Sequence, residues 1–518
     1  MQRQAHERQF ASIVYRNTVP SQGQSPVIFF NASTRLSEMS YNAAYQQLTA
    51  WALRLQGIPV VHFACKRGMT RCVLGTDRDD HRMTPPCSNC LAQSRALYKD
   101  AEVNWFDNQP DADLAAQLEG LSLSSLLEFT YREMPLGKLV APSLRWVLRR
   151  YHLADDIPTR FLFSQYILAA YSIACQFSEL IEKRHPQSVV IFNGTFFPEA
   201  AACWEARNRG IRVVTHETGF LPFTGFFTHG SATAYPLDPG ENFKLDAGQE
   251  ARLDEYLTLR FKGDFTMAGI RFWPEIKHLD EDLLAKIDRF SKLVPVFSNV
   301  IFDTSQEHAN TIFPDMFAWL DRLLITIRSH QDTLFVLRAH PDEGRKGKSS
   351  RESVADWAAK VGIESEPNVV FINPNDFISS YELVQRSAFV LVYNSSIGLE
   401  ASIMGKAVLC AGKVRYHTAA CPTVYQPETI EAYFSRLESW LSADNTQPDE
   451  KLRSNARRFL YYQVFKASLP FDRFLKAEGV PGFVGLTGFS PDDLMPENSQ
   501  TMAVLLKGIL DGEPFLLN

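Results

Sequence analysis

Residues 388–412 read AFVLVYNSSIGLEASIMGKAVLCAG. Residues 389–393 form a short continuous apolar run, the pattern of a strand buried on both faces. Asn394, Ser395 and Ser396 follow, residues well suited to open a helix. Residues 397–404 have the pattern of a short helix, Gly405 stops it, and residues 407–411 are a second buried strand. The whole is one strand–turn–helix–strand unit, so a parallel sheet is expected. Its turn offers two hydroxyls and backbone N–H groups at the positive end of a helix, an arrangement suited to phosphate. Glu400 sits one turn in, within reach of a ribose. The plainer alternative is that the serines only cap the helix.

The remaining sequence sets bounds on this unit. A chain of 518 residues is too long for one ordinary core, so two or three domains are expected. The net charge of −6, from 53 basic and 59 acidic residues, argues against nucleic acid as a partner. No apolar run approaches the roughly 20 residues that span a bilayer. The first residues, MQRQAHERQFASIVYRN, lack the apolar segment of a signal peptide, so a cytoplasmic location is expected.

Upstream, PVIFFN at 26–31 reads as a buried strand, 39–56 as a helix ended by Gly57, and 58–64 as the next strand. No Gly-x-Gly-x-x-Gly follows the first strand, so the usual dinucleotide fingerprint is absent. Residues 112–185 have helical periodicity. Arg145, Arg149 and Arg150 mark a basic face there, for solvent, an anionic acceptor or a membrane surface. The α/β rhythm resumes with SVVIF at 188–192, the polar turn Asn193-Gly194-Thr195, a helix, and a strand ending at His216-Glu217-Thr218-Gly219. Ligands of open α/β sheets bind beyond the carboxyl ends of strands, which makes Glu217 a candidate catalytic carboxylate. A charged connector over 250–292 leads to a second α/β region. There VPVFSNVIF precedes Asp303, and LFVLR ends in Ala339-His340-Pro341-Asp342. The proline stops that strand and fixes the turn, leaving His340 to contact phosphate or pass a proton.

Eight cysteines in a chain this long do not suggest a disulfide scaffold. Half of them, Cys65, Cys72, Cys87 and Cys90, fall in a polar loop at 65–90, the last two as Cys-x-x-Cys. Four thiolates could staple such a loop around a structural zinc. Buried thiols with a redox pair, or an iron–sulfur cluster, are the other readings.

The blocks HETGFLP, NVIFD, RAHPDE and SSIGLEASIMGKAVL stand in this order over 189–424. They resemble bacterial capsule polysaccharide biosynthesis glycosyltransferases of the Kdo-transferase and sialyltransferase-like, GT-B type, where Kdo is 3-deoxy-manno-octulosonic acid. The resemblance implies two Rossmann-like domains facing across a cleft. These would be an acceptor domain over 1–285, carrying the cysteine-rich loop and the helical insert, and a nucleotide-sugar domain over 286–445. A helical segment and tail would follow over 446–518. It also implies a metal-independent transfer from a nucleotide sugar, a CMP-sugar favoured, to a polysaccharide or lipid-linked acceptor, with contact to a membrane's inner face. Ser395, Ser396, Asn394 and Gly398 would hold the phosphate, with Arg338, His340 and Pro341 beside them. Glu400 would approach the ribose, and Glu217, with Asp303 as its rival, would be the catalytic carboxylate. Two alternatives stay open: a teichoic-acid-type polyol-phosphate transferase and a non-catalytic nucleotide-binding assembly protein.

Overall fold

The computed structural model of the chain describes residues 2–32, 39–262, 277–345 and 349–518. Part of the connector expected over 250–292 lies outside these residues. The strands of the first unit are β1 (Val27–Asn31), β2 (Met39–Ser40), β3 (Val60–Cys65), β4 (Glu102–Phe106), β5 (Ser188–Phe192), β6 (Arg212–Thr218) and β7 (Thr224–Thr228). The second unit holds β8 (Lys292–Phe297), β9 (Thr333–Arg338), β10 (Val369–Ile372), β11 (Val390–Val392) and β12 (Val408–Cys410). The chain then returns to the first unit as β13 (Leu469–Pro470), β14 (Leu475–Ala477) and β15 (Phe483–Leu486).

Among the described residues the first sheet runs β13-β7-β6-β5-β1-β3-β4, parallel from β6 through β4, with β7 and β13 antiparallel at one edge. The second runs β10-β9-β8-β11-β12, all parallel. Their central strands are buried on two faces, which is why they are near-continuous apolar runs. Alternation along β1 sends Ile28 and Phe30 into one core and Val27 and Phe29 into another. The helices Leu136–Leu148, Ile157–Arg184 and Phe197–Asn208 contribute to the first core, and Tyr41–Leu55 and Gln500–Asp511 to the second.

The order of the strands determines where a ligand can sit. In the second sheet the chain leaves β8 toward β9 and β10, then comes back to the other side of β8 with β11 and β12. The loops after β8 and β11 therefore diverge to opposite faces and leave a crevice at their carboxyl ends. The same reversal separates β1 from β5 in the first sheet.

Candidate functional site

The crevice of the second sheet opens into a cavity of about 1190 Å³ shared by both units. Its walls include Arg338, His340, Pro341, Asn394, Ser395, Ser396 and Glu400, with Asp303 at its edge. Thr233, Asp238 and Arg260 of the first unit close it from the other side. The crevice of the first sheet opens into a smaller cavity of about 350 Å³ holding Asn31, Asn193, Glu217 and again Asp303. Asp303 thus borders both chambers.

The serine turn does not cap the following helix through the Ser396 side chain. Ser396 is the N-cap of the helix Ile397–Ile403, yet it lies in αR geometry and its side chain makes no cap bond. Ser395 is partly exposed and Ser396 exposed at the cavity wall. The turn is fixed instead by its neighbours. The Tyr416 hydroxyl donates to the Ser395 carbonyl at 2.7 Å, and Asn299 Nδ2 donates to Asn394 Oδ1 at 2.7 Å. Gly398 leaves room for Tyr416: a Cβ there would lie 2.2 Å from its hydroxyl oxygen.

His340 follows β9, at the N-cap of the short 3-10 turn Pro341–Glu343. The Asp342 N–H donates to its Nδ1 at 3.2 Å. A neutral ring in that arrangement carries its proton on Nε2. Burial pulls its pKa below the ordinary value, against the pull of Asp342 and Asp303, so the ring is neutral at physiological pH. Arg338, the last residue of β9 and two before His340, donates to the Ile378 carbonyl. Burial lowers its pKa to about 10, which keeps it charged.

Glu217, the penultimate residue of β6, is half-buried, and Asn193 of the turn after β5 donates to its Oε1 at 2.6 Å. The Thr218 N–H donates to Oε2 at 3.2 Å. Burial raises its pKa above the usual carboxylate range and the nearby Asp303 charge adds to this, while the bonds from Asn193 and Thr218 oppose it. Asn193 sits at φ 61°, a left-handed conformation that asparagine tolerates better than most residues. Its Oδ1 accepts from the Thr195 N–H at 2.9 Å, so one side chain shapes the turn and aims the carboxylate.

Glu400 lines the large cavity but is already engaged. Arg260 donates to its Oε1 through Nε at 2.8 Å and also through Nη2, and the Tyr381 hydroxyl donates to Oε2 at 2.6 Å. Arg260 comes from the helix Ala247–Phe261 and had no local signal in the sequence. Asn193, Asn299 and Tyr381 were likewise unassigned; of these, Asn193 was visible as a polar residue in a turn after a buried strand.

The cysteine loop departs from expectation. Cys65, Cys72, Cys87 and Cys90 all line the smaller cavity. No group of three or more His, Cys, Asp or Glu among the described residues could hold a metal ion. The structural zinc expected at these four thiols is therefore not supported. Cys65 ends β3 and its sulfur accepts from the Gly68 N–H, while Cys87 and Cys90 sit in the first turn of the helix Cys87–Leu97. Burial pushes the thiols of Cys65 and Cys72 up to about 12, toward the neutral form.

The basic face at 145–150 also turns out otherwise. Arg145 pairs with Glu307 of the second unit at 2.5 Å, and Arg149 is buried against Trp146 and Phe302. Two of the three arginines thus sit at the contact between the units. No helix among the described residues is long and apolar enough to cross a membrane.

The family model described as capsule polysaccharide biosynthesis protein matches residues 276–423. This is the family that the four blocks resemble. The matched segment includes Asp303, His340 and the serine turn, and excludes Glu217 and the cysteine loop. Protein FixF of Sinorhizobium fredii is 26% identical over 293 residues, 54% of this chain and 60% of that protein. The chain thus spans about three-fifths of that relative's length. Among solved structures, Thermosulfurimonas dismutans KpsC, beta Kdo 2,4 transferase, aligns at TM-score 0.36 and 13% identity, covering 60% of this chain and 87% of that one. Its beta Kdo 2,7 transferase aligns at 0.33 and 14%, covering 62% and 86%. The UDP-GlcNAc 2-epimerase from Neisseria meningitidis bound to UDP-GlcNAc aligns at 0.25 and 13%, covering 84% and 98%.

Proposed function

We propose that this chain, whose residues 276–423 match the capsule polysaccharide biosynthesis family, is a glycosyltransferase of the GT-B type. It moves a sugar from a nucleotide donor, a CMP-sugar such as CMP-Kdo or CMP-sialic acid being favoured, to a surface-polysaccharide or glycolipid acceptor. One observation carries this reading. The two chambers at the two strand-order reversals meet at Asp303, with His340 and Ser395 on one side and Glu217 on the other.

The division of labour follows from charge. When the bond between sugar and nucleotide breaks, negative charge develops on the departing phosphate. A neutral His340 with its proton on Nε2 can donate to that oxygen, and the hydroxyls of Ser395 and Ser396 line the same wall. The acceptor hydroxyl must lose a proton as it attacks. Glu217, with its affinity for protons raised by burial, is the stronger base at working pH and takes it. Asp303 faces both partners and orients them. Closure between the units excludes water from the chambers.

Donor trials test this directly. Purified protein is offered CMP-Kdo, CMP-sialic acid, UDP-sugars and CDP-glycerol with an oligosaccharide acceptor. Transfer from a CMP-sugar that disappears in Glu217→Gln and His340→Ala supports the assignment. Transfer from CDP-glycerol alone would turn it to polyol-phosphate chemistry, and activity surviving in both variants would sink the site.

A further inference from the structure

Glu217 shares its chamber with a second buried carboxyl group. Glu199 lines the same cavity, from the first turn of the helix Phe197–Asn208. The residue is only 6% exposed. Among the described residues it forms no ion pair, and the one hydrogen bond it takes comes from its own N–H. Glu217, by contrast, is held by Asn193 and the Thr218 N–H. Glutamates buried as deeply as Glu199 are normally paired, because a polar group out of water is costly without a partner. The partner that is missing from the chain has room in the cavity.

Burial pushes the Glu199 pKa up to about 8, so the group is mostly protonated at neutral pH. A protonated carboxyl group presents an O–H donor beside a carbonyl acceptor. Two neighbouring hydroxyls of a sugar match that pair. The charge of the lining narrows the choice further. Glu217 and Asp303 bring carboxylates, and Arg67, which is exposed, is the single cation among the lining residues. Arg149, stacked on Trp146, is not part of the lining. An anionic sugar seated here would face like charges, which is costly. An uncharged one meets the amides of Asn31 and Gln46 and the Trp146 indole.

We infer that Glu199 binds hydroxyl groups of an uncharged sugar at the end of the acceptor, seated in the Glu217 chamber. The inference rests on the sugar-transfer reading and adds to it the charge class of the acceptor. Glu199 sets specificity: it touches the acceptor sugar, while the proton of the attacking hydroxyl goes to Glu217. The cavity of about 350 Å³ is at the small end of ligand pockets, which suits a single ring.

Binding of simple glycosides to the full chain saturated with CMP tests this. The probes are the methyl glycosides of glucose, galactose and mannose, each beside its uronic acid counterpart, which differs only by a carboxylate. The wild type is expected to bind at least one neutral glycoside, about tenfold more tightly than its uronide. Glu199→Gln keeps a donor and an acceptor in the same shape and should bind that glycoside within about twofold of wild type. Glu199→Met removes both and should weaken it about tenfold. Glu199→Ala takes its place if the methionine variant does not fold, with the same loss expected. A wild type that binds none of the neutral glycosides, or binds the uronides equally well, overturns the inference. So does an apolar variant with wild-type affinity, or a Glu199→Gln variant that loses as much as the apolar one. CMP binding, measured in the same series and expected to stay within twofold, reports separately on the nucleotide site at His340 and Ser395, so the sugar-transfer reading can stand or fall on its own.

Discussion

Gly398 and Tyr416 fit so tightly that a Cβ on the glycine would lie 2.2 Å from the tyrosine hydroxyl oxygen. That hydroxyl also holds the Ser395 carbonyl at 2.7 Å, so the contact fixes the shape of the serine turn. Tyr416 is buried and cannot swing away. Gly398→Ala should therefore cost about 1–3 kcal/mol through overpacking and weaken CMP binding. Tyr416→Phe removes the offending oxygen, so the double variant should recover part of the loss. Thermal melts and CMP titrations of the four proteins in a double-mutant cycle check this; strict additivity would refute the steric account.

Glu217→Gln keeps the shape of the side chain and removes the base. Turnover should fall by about 10²–10⁴-fold, the usual contribution of a positioned proton acceptor, while donor binding is unchanged. A base must be deprotonated to act. Because burial raises the Glu217 pKa, wild-type kcat/KM should decline on the acid side at a pH above the range of an ordinary carboxylate. A pH–rate profile that is flat down to that ordinary range would remove Glu217 from the role.

His340→Ala and Ser395→Ala each delete a group on the phosphate wall. Each should weaken CMP binding by about tenfold, equivalent to about 1.4 kcal/mol, while cytidine without phosphate binds as before. The comparison of CMP with cytidine is the readout. Equal losses for both ligands would place these residues elsewhere on the nucleotide.

His152 joins the units from the first side. Its Nδ1 is 2.5 Å from Glu352 Oε1, and its Nε2 is 3.2 Å from Asp315 Oδ2. Hydrogen bonds donated by its ring to Asp315 and Glu352 raise its pKa from the ordinary 6.5 to about 10. A raised histidine pKa means the folded state holds the proton more tightly than the unfolded chain. The stabilisation is then complete below about pH 6.5 and is lost as pH rises toward 10. The ring is 55% exposed, so solvent screening limits the effect to about 1 kcal/mol. His152→Gln should flatten the decline of melting temperature between pH 6.5 and 10; an unchanged slope would show that the contact contributes nothing.

Much of this was legible in the residues themselves. The strand–turn–helix–strand unit at 388–412 and the ends of β6 and β9 were placed by apolar runs followed by polar turns. That pattern is local, because a buried parallel strand must be apolar and its end must be polar to meet solvent or ligand. His340, Ser395, Ser396 and Asp303 were found in this way, and the structure brings them to one cavity. The zinc expectation is not supported: the four cysteines border one cavity, yet among the described residues no group of three or more His, Cys, Asp or Glu could hold a metal ion. The basic face at 145–150 was misjudged because helical periodicity says which residues share a face, not what covers that face.

The sequence alone determined the type of its elements, through hydrophobic period, turn residues and strand-end chemistry, all set within a few neighbouring positions. Only the tertiary structure decided the order of strands in each sheet, and with it the two crevices that meet at Asp303. It alone paired Glu400 with Arg260, 140 positions away, and enclosed Arg149 between Trp146 and Phe302. These arise from packing across long loops, where the free energy depends on which surfaces become buried together, and no local pattern of residues records that choice.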